Sequence, residues 1–297
     1  GSRVKAPAFD YVQAASVSEA VAAFRACEGE ARYLAGGQSL LVALNLRLSA
    51  PSLLIDLGRI DALRGIEIND DAVRIGALTR HAEVLASEIV ARHVPLLSMA
   101  APYVAHPAIR NKGTLGGSLA LADPASEFPA VALALGARME ISDAETTRLV
   151  EADDYFVDLY ETAIAPGEVL TAVHFPVARP TQVFAFDELA RRRGDYALIG
   201  VAIAADGQRG HVDAIRIAFC AAGPTPRRAH AAEAALSGRA LSDDTITQAQ
   251  AALSADLAPA DDAHMAAATR MHLARVLLRR QLEKLRVALA ADEVGGS

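Results

Sequence analysis

The sequence predicts an α+β protein of two domains. Strand candidates alternate with helical stretches through the first half, three consecutive antiparallel strand candidates open the second, and an alanine-rich helical region closes the chain. At 297 residues the chain is long for one ordinary domain and sufficient for two, each with a sizeable core.

Ser16-Val17-Ser18-Glu19 has the form of a capping box, in which the serine hydroxyl and the glutamate three residues on satisfy free N–H groups of a starting helix. That helix is expected to run to about Arg25. Residues 32–35 form a short apolar strand candidate that stops at Gly36-Gly37, and residues 38–48 then carry apolar side chains at helical spacing. Residues 52–57, 65–68 and 72–75 read as strands, the last two joined by the turn Asn69-Asp70-Asp71, and Thr79 is placed to cap a short helix after them. Residues 96–104 are helical, Pro107 interrupts, and residues 113–118 make a second glycine loop. Residues 127–135 read as a helix closed by Gly136, with strands at 137–141 and 169–175 and the end of the first domain near Pro176. Beyond a proline-bounded joint at 176–180, residues 183–190, 196–205 and 212–221 read as three antiparallel strands. The last helix, over 263–289, has leucines and valines at helical spacing with arginines between them.

Composition excludes several classes. With 29 Lys+Arg against 36 Asp+Glu the net charge is -7, which repels a nucleic-acid backbone. The two cysteines, Cys27 and Cys220, lie far apart and cannot by themselves build a zinc site or hold an iron-sulfur cluster. No apolar run approaches the roughly 20 residues that cross a bilayer, and the amino terminus has no basic-plus-apolar signal segment, so the expected location is the cytoplasm.

Two loops carry the candidate chemistry. Ala35, Gly36, Gly37, Gln38, Ser39 and Leu40 join a strand to a helix, so their backbone N–H groups and the helix dipole can converge on a diphosphate; the competing reading is a tight turn with a capped helix. Thr114, Leu115, Gly116, Gly117 and Ser118 repeat the chemistry, with glycines flanked by hydroxyls. Neither loop is the GxGxxG fingerprint or the GxxxxGK[ST] phosphate loop, which argues against a nicotinamide Rossmann domain and an ATPase. Two such loops point to one long diphosphate ligand. No paired carboxylates, activated serine or metal-ligand cluster emerges that would transform a substrate.

The segments AGGQSL, RNKGTLGGSLALADPASE and LARRRGDYALIGVA, in that order and followed by an arginine-rich last helix, resemble the flavoprotein subunit of the molybdenum hydroxylases, the family of aerobic carbon monoxide dehydrogenase and xanthine dehydrogenase. The resemblance covers nearly the whole chain. It implies a PCMH-type FAD-binding domain of two subdomains over residues 3–177 and a carboxy-terminal domain with a three-stranded antiparallel sheet and helices over 178–290. It also implies that residues 35–39 and 114–118 wrap the FAD diphosphate, with Arg32 as a nearby cation, where the family often has lysine. Asp123 and Glu127 are similar to carboxylates that accept hydrogen bonds from FAD hydroxyls; as residues alone they read first as a proline turn with an acidic helix start. Tyr196 matches a position beside the isoalloxazine ring, and its competing reading is the first residue of a core strand. Arg191, Arg192 and Arg193 stay open between solvated charge, ligand contact and partner surface.

The same resemblance implies noncovalent FAD in this chain, with [2Fe-2S] clusters in a small partner subunit and the molybdenum cofactor in a large one, assembled as a dimer of heterotrimers. FAD would take electrons from the clusters and pass them to an external acceptor. A lysine that animal xanthine dehydrogenases carry in the segment matching residues 186–190 is missing, which sets a nicotinamide acceptor in doubt. Rival readings are a stand-alone flavoprotein oxidase or reductase of the same fold, and a noncatalytic FAD-dependent scaffold.

Overall fold

The structure, a computed structural model, describes residues 10–34, 51–104, 113–192 and 195–291. The first glycine loop (Ala35, Gly36, Gly37, Gln38, Ser39, Leu40), the helix read over 38–48, His106 and Arg193 lie outside the described residues.

The chain begins with a small parallel sheet. β1 (Asp10–Gln13), α1 (Val17–Ala26), β2 (Ala31–Leu34) and β3 (Leu53–Asp56) give the strand order β1-β3-β2. Ser16 Oγ accepts from Glu19 N–H at 3.1 Å, as the capping box predicts, but the Glu19 carboxylate reaches back to Ala15 N–H rather than to Ser16. Ala20 and Val21 of α1 bury against Ile55 and Leu57, and the same cluster takes in Leu63, Leu78 and Val169, which fastens the small sheet to the next layer.

That layer holds β4 (Ile66–Ile68), β5 (Ala72–Gly76), α2 (His81–Ala86), α3 (Glu88–His93), α4 (Pro95–Val104), α5 (Leu115–Leu121), α6 (Glu127–Leu135), β6 (Arg138–Ser142), β7 (Thr147–Glu151), the one-turn α7 (Ala152–Tyr155), β8 (Phe156–Asp158), β9 (Glu161–Thr162) and β10 (Val169–Pro176). Its five-stranded sheet runs β4-β5-β10-β6-β7, antiparallel throughout, while β8 and β9 pair apart as a hairpin. The sequence reading has no counterpart of β7, β8 or β9, because these short, mostly exposed strands lack an apolar alternation. Thr79 does not cap α2: its hydroxyl bonds the backbone of Gly65, and Arg80 N–H is held instead by the Glu83 carboxylate at 3.2 Å.

Helix α6 has the predicted bounds and ends on Gly136 at φ +64°, the left-handed conformation that glycine adopts without strain. Ala130 to Ala134 are all buried, so no side of this helix faces water. What surrounds it is the third layer.

There β11 (Gln182–Leu189), β12 (Ile199–Gln208) and β13 (His211–Cys220) form an antiparallel sheet, extended by β14 (Arg227–Arg228) and β15 (Arg239–Ala240), with α8 (His230–Leu236), α9 (Asp243–Asp256) and α10 (Ala267–Ala291) behind it. The sheet is buried on both sides. Ile199, Val201, Ile203, Ile215, Ile217 and Phe219 pack into the cluster with α8, α9 and α10, whereas Ala202, Ala204, Ala218 and Cys220 join the cluster containing α4 and α6. Small side chains on that second face let α6 approach closely. Gly200 answers to crowding within the sheet: a Cβ there would stand 2.5 Å from Cys220 Sγ on the neighbouring strand. Arg216 of β13 donates to Leu133 C=O at 2.7 Å and to Asp153, satisfying a carbonyl at the end of α6. Strand β12 starts at Ile199, so Tyr196, read as a possible strand start, lies before it in the connection from β11.

Candidate functional site

A cleft of about 620 Å3 opens between the small parallel sheet and the second layer. Its lining includes Phe24, Arg32 and Tyr33, Ala77, Leu78, Gly116 and Gly117, and much of the segment from Tyr160 to Leu170. The rings of Phe24 and Tyr33 stack at 5.2 Å, and the Tyr33 hydroxyl donates across the cleft to Gly167 C=O at 2.7 Å. Burial pushes the Tyr33 phenol well above its ordinary value, so it stays protonated and keeps that bond.

Arg32, the cation of the sequence analysis, lines this cleft. One terminal nitrogen donates to Glu30 at 2.7 Å, while Nε is buried with no acceptor among the described residues. A buried guanidinium N–H without a partner costs free energy unless a ligand supplies the acceptor.

The second glycine loop is built differently from expectation. It starts α5 with Thr114 as N-cap, and Thr114 Oγ1 accepts from Gly117 N–H at 3.0 Å. Leu115 N–H goes to Thr79 C=O, Gly116 N–H to Ala77 C=O and Ser118 N–H to Thr114 C=O. The first four amides of the helix thus have acceptors within the chain, and the Ser118 hydroxyl pairs with His81 Nε2 at 3.1 Å. Gly116 and Gly117 reach the cleft as surface free of side chains. Gly116 also answers to packing, since a Cβ there would lie 2.5 Å from Ala77 Cβ and 2.6 Å from Ala77 O.

Asp123 accepts from Ala125 N–H at 2.9 Å, which folds the turn at Pro124. Glu127, the first residue of α6, is buried and hydrogen-bonds Glu188 of β11, a residue the sequence reading does not single out. Burial pushes both carboxyls up, Glu188 to about 10, and among the described residues the charges acting on Glu188 are those of Glu127 and Asp187, both negative. The pair therefore holds a proton at neutral pH. Burial and the same carboxylates push the Cys220 thiol up as well, which makes it an inert core group.

Tyr196 is 76% exposed, which removes its reading as a core residue. A second tyrosine that the sequence reading passes over, Tyr160, stands at the cleft. Arg191 donates to His264 C=O at 2.9 Å, tying its loop to the approach of α10, and Arg192 is exposed. Among the described residues no group of three or more His, Cys, Asp or Glu is placed to hold a metal ion, and no helix is long and apolar enough to cross a membrane.

Comparison with known proteins agrees with this architecture. Residues 7–178 match the FAD binding domain in molybdopterin dehydrogenase, and residues 184–285 match the CO dehydrogenase flavoprotein C-terminal domain. The chain is 39% identical to the 6-hydroxypseudooxynicotine dehydrogenase complex subunit alpha of Paenarthrobacter nicotinovorans, over 95% of each chain. It is 37% identical to the carbon monoxide dehydrogenase medium chain of Afipia carboxidovorans, over 93% of this chain and 96% of that one. Among solved structures, a chain of the carbon monoxide dehydrogenase from Hydrogenophaga pseudoflava superposes with a TM-score of 0.90 at 36% identity, covering 95% of this chain and 99% of that one. The chain belongs to the FAD-binding flavoproteins of the molybdopterin dehydrogenases, as an oxidoreductase subunit of the molybdenum hydroxylase family.

Proposed function

We propose that this chain holds FAD noncovalently in the cleft between its first two layers, and that it serves as the electron-transfer subunit of a cytoplasmic molybdenum hydroxylase. The observation that supports the placement is Arg32 in the lining of a 620 Å3 cleft, with a side-chain Nε that has no acceptor among the described residues. FAD, when bound, supplies the chemistry that accepts single electrons from the [2Fe-2S] clusters of a small partner subunit and delivers pairs to an external acceptor. A large partner subunit would hold the molybdenum cofactor, and the three chains would assemble as a dimer of heterotrimers. The relatives support this composition, being named as a medium chain or as one subunit of a complex.

Each residue's part follows from its place. Arg32 offers a charged donor to an acceptor-rich group, and Gly116 and Gly117 let a ligand lie against backbone. The first loop, Ala35 to Leu40, is proposed to supply the amide donors that α5 has already committed within the chain. Asp123 is proposed to accept hydrogen bonds from FAD hydroxyls and Tyr196 to stand beside the ring, so that the domain over 3–177 and the domain over 178–290 share one cofactor. Glu127, proposed from the resemblance as an acceptor for FAD hydroxyls, also pairs with Glu188.

Copurification from the host tests the assembly: iron, molybdenum and two further polypeptides are expected, and a yellow homomer active alone would overturn it. Arg32→Ala tests the cleft, with FAD affinity expected to fall about 10- to 100-fold, the worth of one charge-assisted hydrogen bond. Equilibrium ultrafiltration reads it, and undiminished affinity would remove Arg32 from the site. Tyr196→Ala is expected to change bound-flavin absorbance or reoxidation rate while stability stays within about 0.5 kcal/mol of wild type, as suits an exposed side chain. Spectra and thermal midpoints of one preparation decide it.

A further inference from the structure

Tyr160 occupies a backbone conformation that its side chain does not favour. It is the second of the two residues linking β8 to β9, where φ is +54°, a left-handed position suited to glycine or asparagine. A bulky residue held there carries local strain, and such strain gathers at functional positions. Nothing in the packing repays it, because half of the side chain is exposed. Tyr160 instead lines the same cleft as Arg32 and Tyr33. Its phenol is pushed above its ordinary value by burial, by the Asp123 carboxylate and by Tyr196, which places those two groups in its neighbourhood. Tyr160 therefore stands where the cleft of the first domain meets the exposed aromatic of the second.

We propose that Tyr160 is a ring-contacting residue for the bound FAD, which together with Tyr196 closes the redox end of the cleft from two different domains. This rests on the placement of FAD in the cleft. The turn accepts an unfavourable residue so that an aromatic side chain stands at the end of a tight hairpin beside the cleft.

Four full-length chains test it: wild type, Tyr160→Asn, Tyr160→Phe and, as the control for the cleft, Arg32→Ala. Asparagine suits the left-handed turn, so the apo chain is expected to melt no lower than wild type, which separates a site effect from a folding effect. FAD affinity of Tyr160→Asn should fall about tenfold, the worth of an aromatic contact, and the fluorescence of the flavin that does bind should rise as a quenching phenol is withdrawn. Tyr160→Phe should restore the affinity and keep part of the fluorescence gain. If the wild type binds FAD, Arg32→Ala weakens it and Tyr160→Asn leaves affinity and flavin spectrum unchanged, the assignment of Tyr160 is overturned while the cleft stands. A Tyr160→Asn chain that keeps wild-type flavin properties but loses a partner subunit also overturns it, in favour of a docking role. A wild type that binds no FAD, or binds it equally after Arg32→Ala, overturns the placement in the cleft and the Tyr160 assignment with it.

Discussion

Gly116→Val is expected to destabilise the chain by about 3 kcal/mol, lowering its thermal midpoint by about 10 °C, and to empty the cleft of flavin. The cause is steric and lies in the backbone. The new Cβ alone would sit 2.5–2.8 Å from Ala77 Cβ, O and Cα, and two of those three atoms belong to a main chain that cannot rotate aside. Ala77 also accepts the Gly116 amide, so moving α5 away breaks that bond and shifts the cleft wall at the same time. Gly117→Val gives the contrast: Gly117 reaches the cleft too, and its substitution should remove flavin with a smaller loss of stability. Calorimetry of the apo chains with FAD titration of each reads both effects, and a Gly116→Val chain as stable as wild type would show that α5 does not need this approach.

Glu188→Gln is expected to stabilise the chain above neutral pH. A carboxyl raised from its ordinary 4.5 to about 10 keeps a proton in the fold that the unfolded chain releases. Stability from this source is therefore whole below about pH 4.5 and drains away as pH rises through 4.5 toward 10. Even if two pKa units of that shift are realised, the loss is about 2.7 kcal/mol, or about 5–10 °C in thermal midpoint. Glutamine keeps the shape, donates an N–H to Glu127 and has no proton to release. The variant should match wild type near pH 5, exceed it at pH 9 and show a flatter profile between. Parallel profiles would mean that Glu188 finds a cation the described residues do not include.

What could be read from the sequence divides along the range of the interactions. Ser16 with Glu19, and Glu127 through Gly136, are local signals, and both helices appear where those signals put them. The three long strands of the last sheet were legible for a similar reason, as apolar runs between turns. The start of β12 was misplaced onto Tyr196 because an aromatic ahead of an apolar run has high β-propensity, yet the Leu198-to-Leu189 bond closes the strand pair after it. Glu188 and Tyr160 were illegible. A buried acid pair exists only once Glu188 of β11 comes beside Glu127 at the start of α6, and a left-handed turn is announced by glycine or asparagine, which this hairpin lacks. The second loop shows a third limit: its pattern promised donors for phosphate, and the fold gives those donors to Ala77, Thr79 and Thr114. The roles of Ala35 to Leu40 and of Asp123 stand as proposals.

The small-residue face of the last sheet bears on how such proteins can recombine. Ala202, Ala204, Ala218 and Cys220 are matched to α6, a helix that belongs to the other half of the sequence. A crossover at the proline-bounded joint, where the chain looks easiest to cut, would hand α6 a foreign sheet and oblige it to be equally small at these positions. A crossover ahead of Glu127 would carry helix and sheet together and leave their fit intact. Lineages that exchange flavin reactivity by exchanging carboxy-terminal parts should accordingly bear the scar upstream of α6, within the first domain, and not at the linker.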